Sequence, residues 1–209
     1  MARPAAPDRT RDRDRTRAEI LDVATEHFAE HGYSGARVDE IAERTRTTKR
    51  MLYYYFGSKE GLYTEVLERA YAQIRAAEQD VDVEHLEPVA AIRRLAELTF
   101  DHHEAHPDFI RLVSIENIHR AEHMRASDRF AKLNTPAIDL IAGILERGRD
   151  VFKRDVDAID VHMVISAFCV FRVANRHTWE AIFARDPLDP ALRERYRRML
   201  GDLVVDYLT

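Results

Sequence analysis

The chain has 209 residues, 45% hydrophobic and 33% charged, with a formal net charge of −5. That length suits one medium domain or a small one joined to a larger one. No stretch approaches the roughly 20 apolar residues that span a bilayer, the arginine-rich N-terminus has no apolar stretch of the secretory kind, and Cys169, the only cysteine, excludes an internal disulfide and fits a reducing, cytoplasmic setting.

Residues 1–14, MARPAAPDRTRDRD, contain two prolines, mixed Arg and Asp, and no apolar period, so they are expected to form a disordered Arg-rich arm. No proline follows until Pro88, which permits uninterrupted helices. Ile20, Leu21, Ala24 and Phe28 share one apolar face of a helix predicted over about 13–31, with Gly32 as its stop. A short second helix is predicted over 38–44, with Val38, Ile41 and Ala42 inward. A third is predicted over 49–56, with Leu52 and Phe56 inward and Thr48 as its N-cap. Gly57 ends it, and Ser58 caps a long fourth helix over about 59–78 with Leu62, Val66, Leu67 and Tyr71 on its buried side. Two short helices joined by a tight connection, the second basic at its start and rich in tyrosine, have the layout of a helix-turn-helix. The domains are therefore drawn as arm 1–14, helix-turn-helix 15–58 and a helical domain 59–209.

Beyond Leu86 the pattern stays helical, with helices expected near 88–104, 107–119, 127–150, 157–184 and 189–207. Pro88, Pro107, Pro136, Pro187 and Pro190 fall near the expected starts. No segment alternates with period two between turn signals, so the fold class is all-α. The acidic net charge does not oppose DNA binding. Residues 1–60 hold 12 Lys/Arg and 11 Asp/Glu, while the remainder holds 20 and 26, and only a local basic face is needed to hold phosphates.

Thr47–Leu62, TTKRMLYYYFGSKEGL, together with Ile20-Leu21, Ala24, Phe28, Gly32-Tyr33, Val38, Ile41 and Ala42, resembles the DNA-binding region of TetR-family transcriptional regulators over residues 15–67. The resemblance implies that Thr48, Lys49 and Arg50 face base edges, where Arg50 can bind guanine O6 and N7. It implies that Thr47, Tyr53, Tyr54, Tyr55 and Lys59 contact phosphates, with Arg37 a further DNA contact at the start of the second helix. One of the three adjacent tyrosines must point inward, and Tyr53 is expected to be that one. The chain departs from the pattern at Arg46, where members usually carry Gly, at Arg50, at Asp39, which would repel phosphate but could accept from cytosine N4, and at Ala36-Arg37, which gives the second helix a weak cap. Arg3, Arg9, Arg11, Arg13, Arg15 and Arg17 either follow the domain into the minor groove or form a solvated tail.

The resemblance further implies a homodimer on a palindromic double-stranded DNA operator and a small-molecule effector in the second domain. Val164, Phe168, Phe171, Val173, Leu192, Tyr196, Met199, Leu200, Leu203 and Tyr207 form the expected dimer faces. Phe100, His103, Phe109, Val113, Asn117, Phe130, Phe168, Arg172, Asn175 and Trp179 are candidates to line the effector pocket, and a buried Arg172 would need an anion. His102/His106 and His119/His123 are i,i+4 pairs able in principle to bind zinc, but surface histidines are commoner than metal sites and no metal or other cofactor is assigned. There is no Ser-His-Asp or Cys-His arrangement, no phosphate loop and no paired-carboxylate motif, and Cys169 reads as core, so an enzyme is not expected. A repressor is the leading reading; an activator uses the same parts, and a helical adaptor is the remaining class.

Overall fold

The computed structural model describes residues 9–153 and 155–209. Its elements run α1 (Arg9–Gly35), α2 (Val38–Arg44), α3 (Lys49–Phe56), α4 (Lys59–Gln79), α5 (Pro88–Ala105), α6 (Pro107–Ile118), α7 (Glu122–Arg125), α8 (Arg129–Arg147), α9 (Ala158–Ala174), α10 (Arg176–Phe183) and α11 (Pro190–Leu208), with no strand among the described residues.

Arg9–Asp14, expected to belong to a disordered arm, are part of α1. No proline interrupts them, Asp12 sits in the first helical turn, and Arg15 pairs with Asp12 one turn back at 3.2 Å. Residues 1–8 lie outside the described residues. Gly32, at φ 68° and ψ 173°, breaks α1 with a left-handed conformation that costs a residue without a Cβ little. α2 and α3 have the expected bounds.

The long helix expected over 157–184 is two helices, α9 and α10, bent by 68°. The break falls at Asn175 (φ −99°, ψ 10°), a residue whose side chain competes with helical hydrogen bonding. It is flanked by Arg172, drawn into the interior, and Arg176, held outward by two hydrogen bonds from Nε to Asp186. No single described helix is long and apolar enough to cross a membrane. α7 was not anticipated; it follows Arg120 and Ala121, both at positive φ. Pro136 lies inside α8 and not at a helix start.

Two buried clusters hold the chain together. One gathers Ile20, Ala24 and Phe28 of α1 with Ile41, Leu52 and Phe56 of the next two helices. It then continues through Leu62, Val66 and Ile74 of α4 into Phe109, Ile110, Leu112 and Phe130. The other joins Ile92, Leu95 and Phe100 of α5 to Ile141 and Ile144 of α8, Val161, Ile165 and Cys169 of α9, and Leu200 and Val204 of α11. α4 therefore belongs to the N-terminal head and to the helical body at once. Burial raises the Cys169 thiol to about 12, which marks it as an inert core residue.

Candidate nucleic-acid interface

α3 is held by its two ends. Thr48 Oγ1 accepts from the Met51 N–H at 3.2 Å, satisfying one of the free donors of the first turn. Gly57, at φ 76°, closes the other end, its N–H donating to Tyr53 O. Leu52 and Phe56, one turn apart, are buried and fix which side of the helix faces out. Lys49, Arg50, Tyr53 and Tyr54 are on that outer side, Tyr54 being 64% exposed. The inward tyrosine is Tyr55 and not Tyr53. Tyr55 is half-buried against the first cluster; at 100° per residue positions 53 and 55 flank the Leu52–Phe56 stripe equally, and tertiary packing on the Tyr55 side makes the choice.

The turn before α3 carries Arg46 at φ 51°, the left-handed position where an L residue other than glycine is strained. Asp39, expected to repel phosphate, instead faces Lys49 Nζ at 3.2 Å, so α2 holds one of the two basic residues of the reading edge. Arg50 has no ion pair or hydrogen bond with the described residues and is the free cation of that edge. Arg37 is exposed and pairs with Glu40 at 3.5 Å. Its side chain makes no cap for α2, as expected; its backbone N–H donates instead to His27 Nε2 at 3.1 Å.

Two contacts were missed. Arg13 of α1 lies over the rings of Tyr54 and Tyr55, 5.4 and 5.8 Å from their centroids, a cation–π contact that adds a positive charge beside the tyrosine face. The uninterrupted Asp8–Arg17 charge pattern was the available signal, since it permits helix where an arm was expected. Lys59, in the first turn of α4, is half-buried with its ammonium 4.9 Å from the Tyr33 ring, and burial lowers its pKa. Thr48, Lys49, Arg50, Tyr53 and Tyr54 are thus exposed at the start of α3 and along it, while Thr47 and Lys59 are half-buried in the turn before it and at the start of α4.

The residues expected to line an effector pocket do not converge. Arg172 is buried, but its partners are internal: Nη2 donates to Pro187 O at 3.0 Å, Glu104 lies at 3.5 Å, and the guanidinium sits 3.9 Å from the Phe100 centroid. It needs no ligand anion. Asn117 is exposed and donates to Val113 O of its own helix, so it lines no interior. Trp179 packs on Phe171 and Phe183 at the outer surface, Asn175 terminates α9, and Phe168 and Phe130 pack against separate clusters. Phe100 stays with Arg172, and His103 with Phe109 at 5.5 Å between ring centroids, Phe109 sharing the first cluster with Val113 and Phe130.

Of the expected dimer residues, Val164, Phe171, Met199 and Leu203 are exposed, Leu203 at 51%, and Tyr196 is half-buried. Leu200 is fully buried in the second cluster because it falls on the side of α11 that packs on α5. Ile159, Met163 and Tyr207 extend the exposed apolar face.

The histidines pair off separately. His102 and His106 stack at 4.1 Å, His123 Nδ1 lies 3.0 Å from Glu116 Oε1, and His119 is exposed.

The N-terminal part, residues 20–66, matches the family model described as bacterial regulatory proteins, tetR family. Residues 88–204 match the tetracyclin repressor-like C-terminal domain. The chain is 32% identical over 199 residues, 94% of each chain, to the HTH-type transcriptional repressor NicS of Pseudomonas putida. It is 38% identical over 108 residues to the HTH-type transcriptional repressor SCO4008 of Streptomyces coelicolor, covering 52% of this chain and 53% of that one. In fold it is similar to a TetR family transcription regulator from Marinobacter aquaeolei, with a TM-score of 0.75 at 17% identity, covering 96% of this chain and 98% of the other. With an outward basic and tyrosine-rich recognition helix on a helical body, and matches of this extent, the chain belongs to the TetR family of helix-turn-helix transcriptional regulators.

Proposed function

We propose that the protein is a cytoplasmic homodimeric repressor that binds a palindromic operator and releases it when a small molecule occupies the helical body. The observation that carries this reading is the pairing of an outward α3 edge with an exposed apolar face on α9 and α11. One helix-turn-helix reads too few base pairs to be selective, and a two-fold dimer places two recognition helices about 34–36 Å apart in successive major grooves. Met163, Val164, Phe171, Leu203 and Tyr207 supply apolar area for a four-helix contact with a second copy. The effector acts only if it binds unequally to the two spacings of the heads.

Leu203→Arg places a charge on this face without touching the core. By light scattering it should shift the protein from dimer to monomer, and in a gel shift on the gene's own upstream DNA it should weaken retardation at least about tenfold. A wild-type protein that is monomeric, or that does not retard that DNA, overturns the reading.

Arg50→Ala and Lys59→Ala separate the roles within the interface. Arg50 has no partner among the described residues, so its loss should relax base preference, costing about 1–3 kcal/mol at one operator position. Lys59 contacts phosphate in this reading, so its loss should weaken all sequences alike and lower the salt slope by about 1. Binding isotherms on operator variants at fixed salt distinguish them; identical specificity profiles would contradict the assignment. Arg13, poised over Tyr54, carries the contribution of the arginine arm to the DNA.

A further inference from the structure

The interior of the body contains polar groups that neither the DNA interface nor the dimer face uses. Tyr71, Arg75 and Glu78 occupy one stripe of α4 at i, i+4 and i+7. Arg75 and Glu78 are 7% and 2% exposed, and Arg75 Nη1 lies 2.9 Å from Glu78 Oε2. The two charges meet without hydrogen-bond alignment: Arg75 Nε and Nη1 and Glu78 Oε2 have no hydrogen-bond partner. Facing them from α5 are His102 and His103, 8% and 4% exposed. Neither ring nitrogen of His102 is hydrogen-bonded, nor is His103 Nδ1.

The rings connect these helices. The Phe109 ring is 5.1 Å from Tyr71, 6.2 Å from His102 and 5.5 Å from His103, and Tyr71 is 5.8 Å from Phe130. Burial first and the nearby Arg75 charge with it hold His102 at about 4, His103 at about 3 and, on α9, His162 below its usual value. All three imidazoles are therefore neutral at pH 7, each with one N–H and one acceptor nitrogen; His162 Nε2 is already taken by Ser166 Oγ at 3.4 Å, whereas both nitrogens of His102 are without a partner.

Native interiors rarely leave so many buried polar atoms without partners, because each costs a hydrogen bond given up to water. The imbalance has a sign. Arg75 has five N–H donors and, among the described residues, Glu78 is the one carboxylate facing it, while each neutral imidazole adds one donor and one acceptor and leaves that balance unchanged. The surplus is of donors, with aromatic walls on either side.

We propose that this α4–α5–α9 interior is the effector site, and that the effector is a small carboxylate whose oxygens take donors from Arg75 and His102 while its flat apolar body lies against Tyr71 and Phe109. This rests on the reading of the protein as a ligand-released regulator and specifies its ligand chemistry. A buried site built to donate to a carboxylate rejects the neutral analogue, because donors are then left unpaired. α4 is also the element that carries the signal, since its first turns pack in the same cluster as α3.

The test is a thermal-shift and operator-release screen of the full-length dimer. The panel is benzoate, phenylacetate and cyclohexanecarboxylate, each beside its neutral amide. At least one carboxylate should raise the melting midpoint by about 5–10 °C at a hundredfold excess over its Kd and release DNA, and its amide should bind at least about a hundredfold more weakly. Arg75→Gln should lose the response. Because that variant leaves Glu78 without its partner and can fail to fold, Arg75→Met with Glu78→Met is the second variant. It should stay folded, still bind DNA and no longer respond. The proposal is overturned if no carboxylate shifts the midpoint, if amides act equally, or if the double variant responds like the wild type. In those cases a protein that still retards DNA keeps the regulator reading intact, whereas loss of DNA binding by the wild type strikes that reading instead.

Discussion

Truncating Phe28 to alanine should cost about 3–5 kcal/mol of folding stability and weaken operator binding by depleting the folded dimer. Phe28 is 0% exposed. Its ring meets Tyr63 of α4 edge-on at 4.9 Å and lies 6.5 Å from Tyr33, and Tyr33 and Tyr63 in turn contact the His123 ring at 4.3 and 4.8 Å. The Phe28 side chain thus joins α1 to α4, and the two tyrosines carry the contact on to the short α7. The cavity left by its removal is walled by the Tyr63 ring of α4 and the Tyr33 ring beyond the Gly32 break, both held in place by His123, so they cannot readily close on it and the cost should fall in the upper part of the range for large-to-small changes. Urea unfolding checks this, with the midpoint lowered and the slope unchanged. A loss below about 1 kcal/mol would mean that the aromatic wall relaxes freely.

Glu78→Ala should be comparably damaging, at about 3–5 kcal/mol, because it leaves Arg75 as an uncompensated charge in the interior. Arg75→Met combined with Glu78→Met should be close to neutral, since apolar residues of similar size remove the desolvation cost of both charges. A double-mutant cycle would then show a coupling of several kcal/mol. Burial raises Glu78 to about 7 against the opposing pull of Arg75. A carboxyl whose folded pKa is raised contributes stability that is present below its unfolded value and is lost as pH rises through the folded one. Stability attributable to Glu78 should therefore decline between about pH 4.5 and 7, and Glu78→Gln should flatten that part of the profile. A wild-type curve rising steadily over this window with the same slope in the variant would contradict it.

Much of the head was legible because its signals are local. Leu52 and Phe56 at i,i+4, Thr48 before them and Gly57 after them fix α3 within its own few residues, and the structure has the expected bounds. Arg46 at positive φ is likewise what replacing the usual turn glycine implies. The errors arose where the deciding partner is distant in sequence. Tyr55 turns inward because the Leu52–Phe56 stripe packs against α1 and α4. Asp39 faces Lys49 ten residues away. Arg172 finds Glu104 and the Pro187 carbonyl on other elements. Leu200 and Met199 are both apolar neighbours on α11, and only the packing of α5 decides which is core and which is surface. The interior polar group shows the same limit. Arg75 and Glu78 resemble an ordinary solvated i,i+3 pair until the fold covers them, and nothing in the run around them signals that His102 and His103 face the same space.

The apolar cluster that runs unbroken from Ile20 and Phe28 through α4 to Ile110 and Phe130 also determines what can be transplanted. The DNA-reading head is not a cassette. Cut after residue 58, it would present Ile20 and Phe28 of α1 to water, because the surfaces that α1 packs on belong to α4 and α6. A chimaera that borrows this specificity must carry α4 and the inner side of α6 with it. For the same reason head and body should melt in one cooperative step, with calorimetric and van't Hoff enthalpies in agreement.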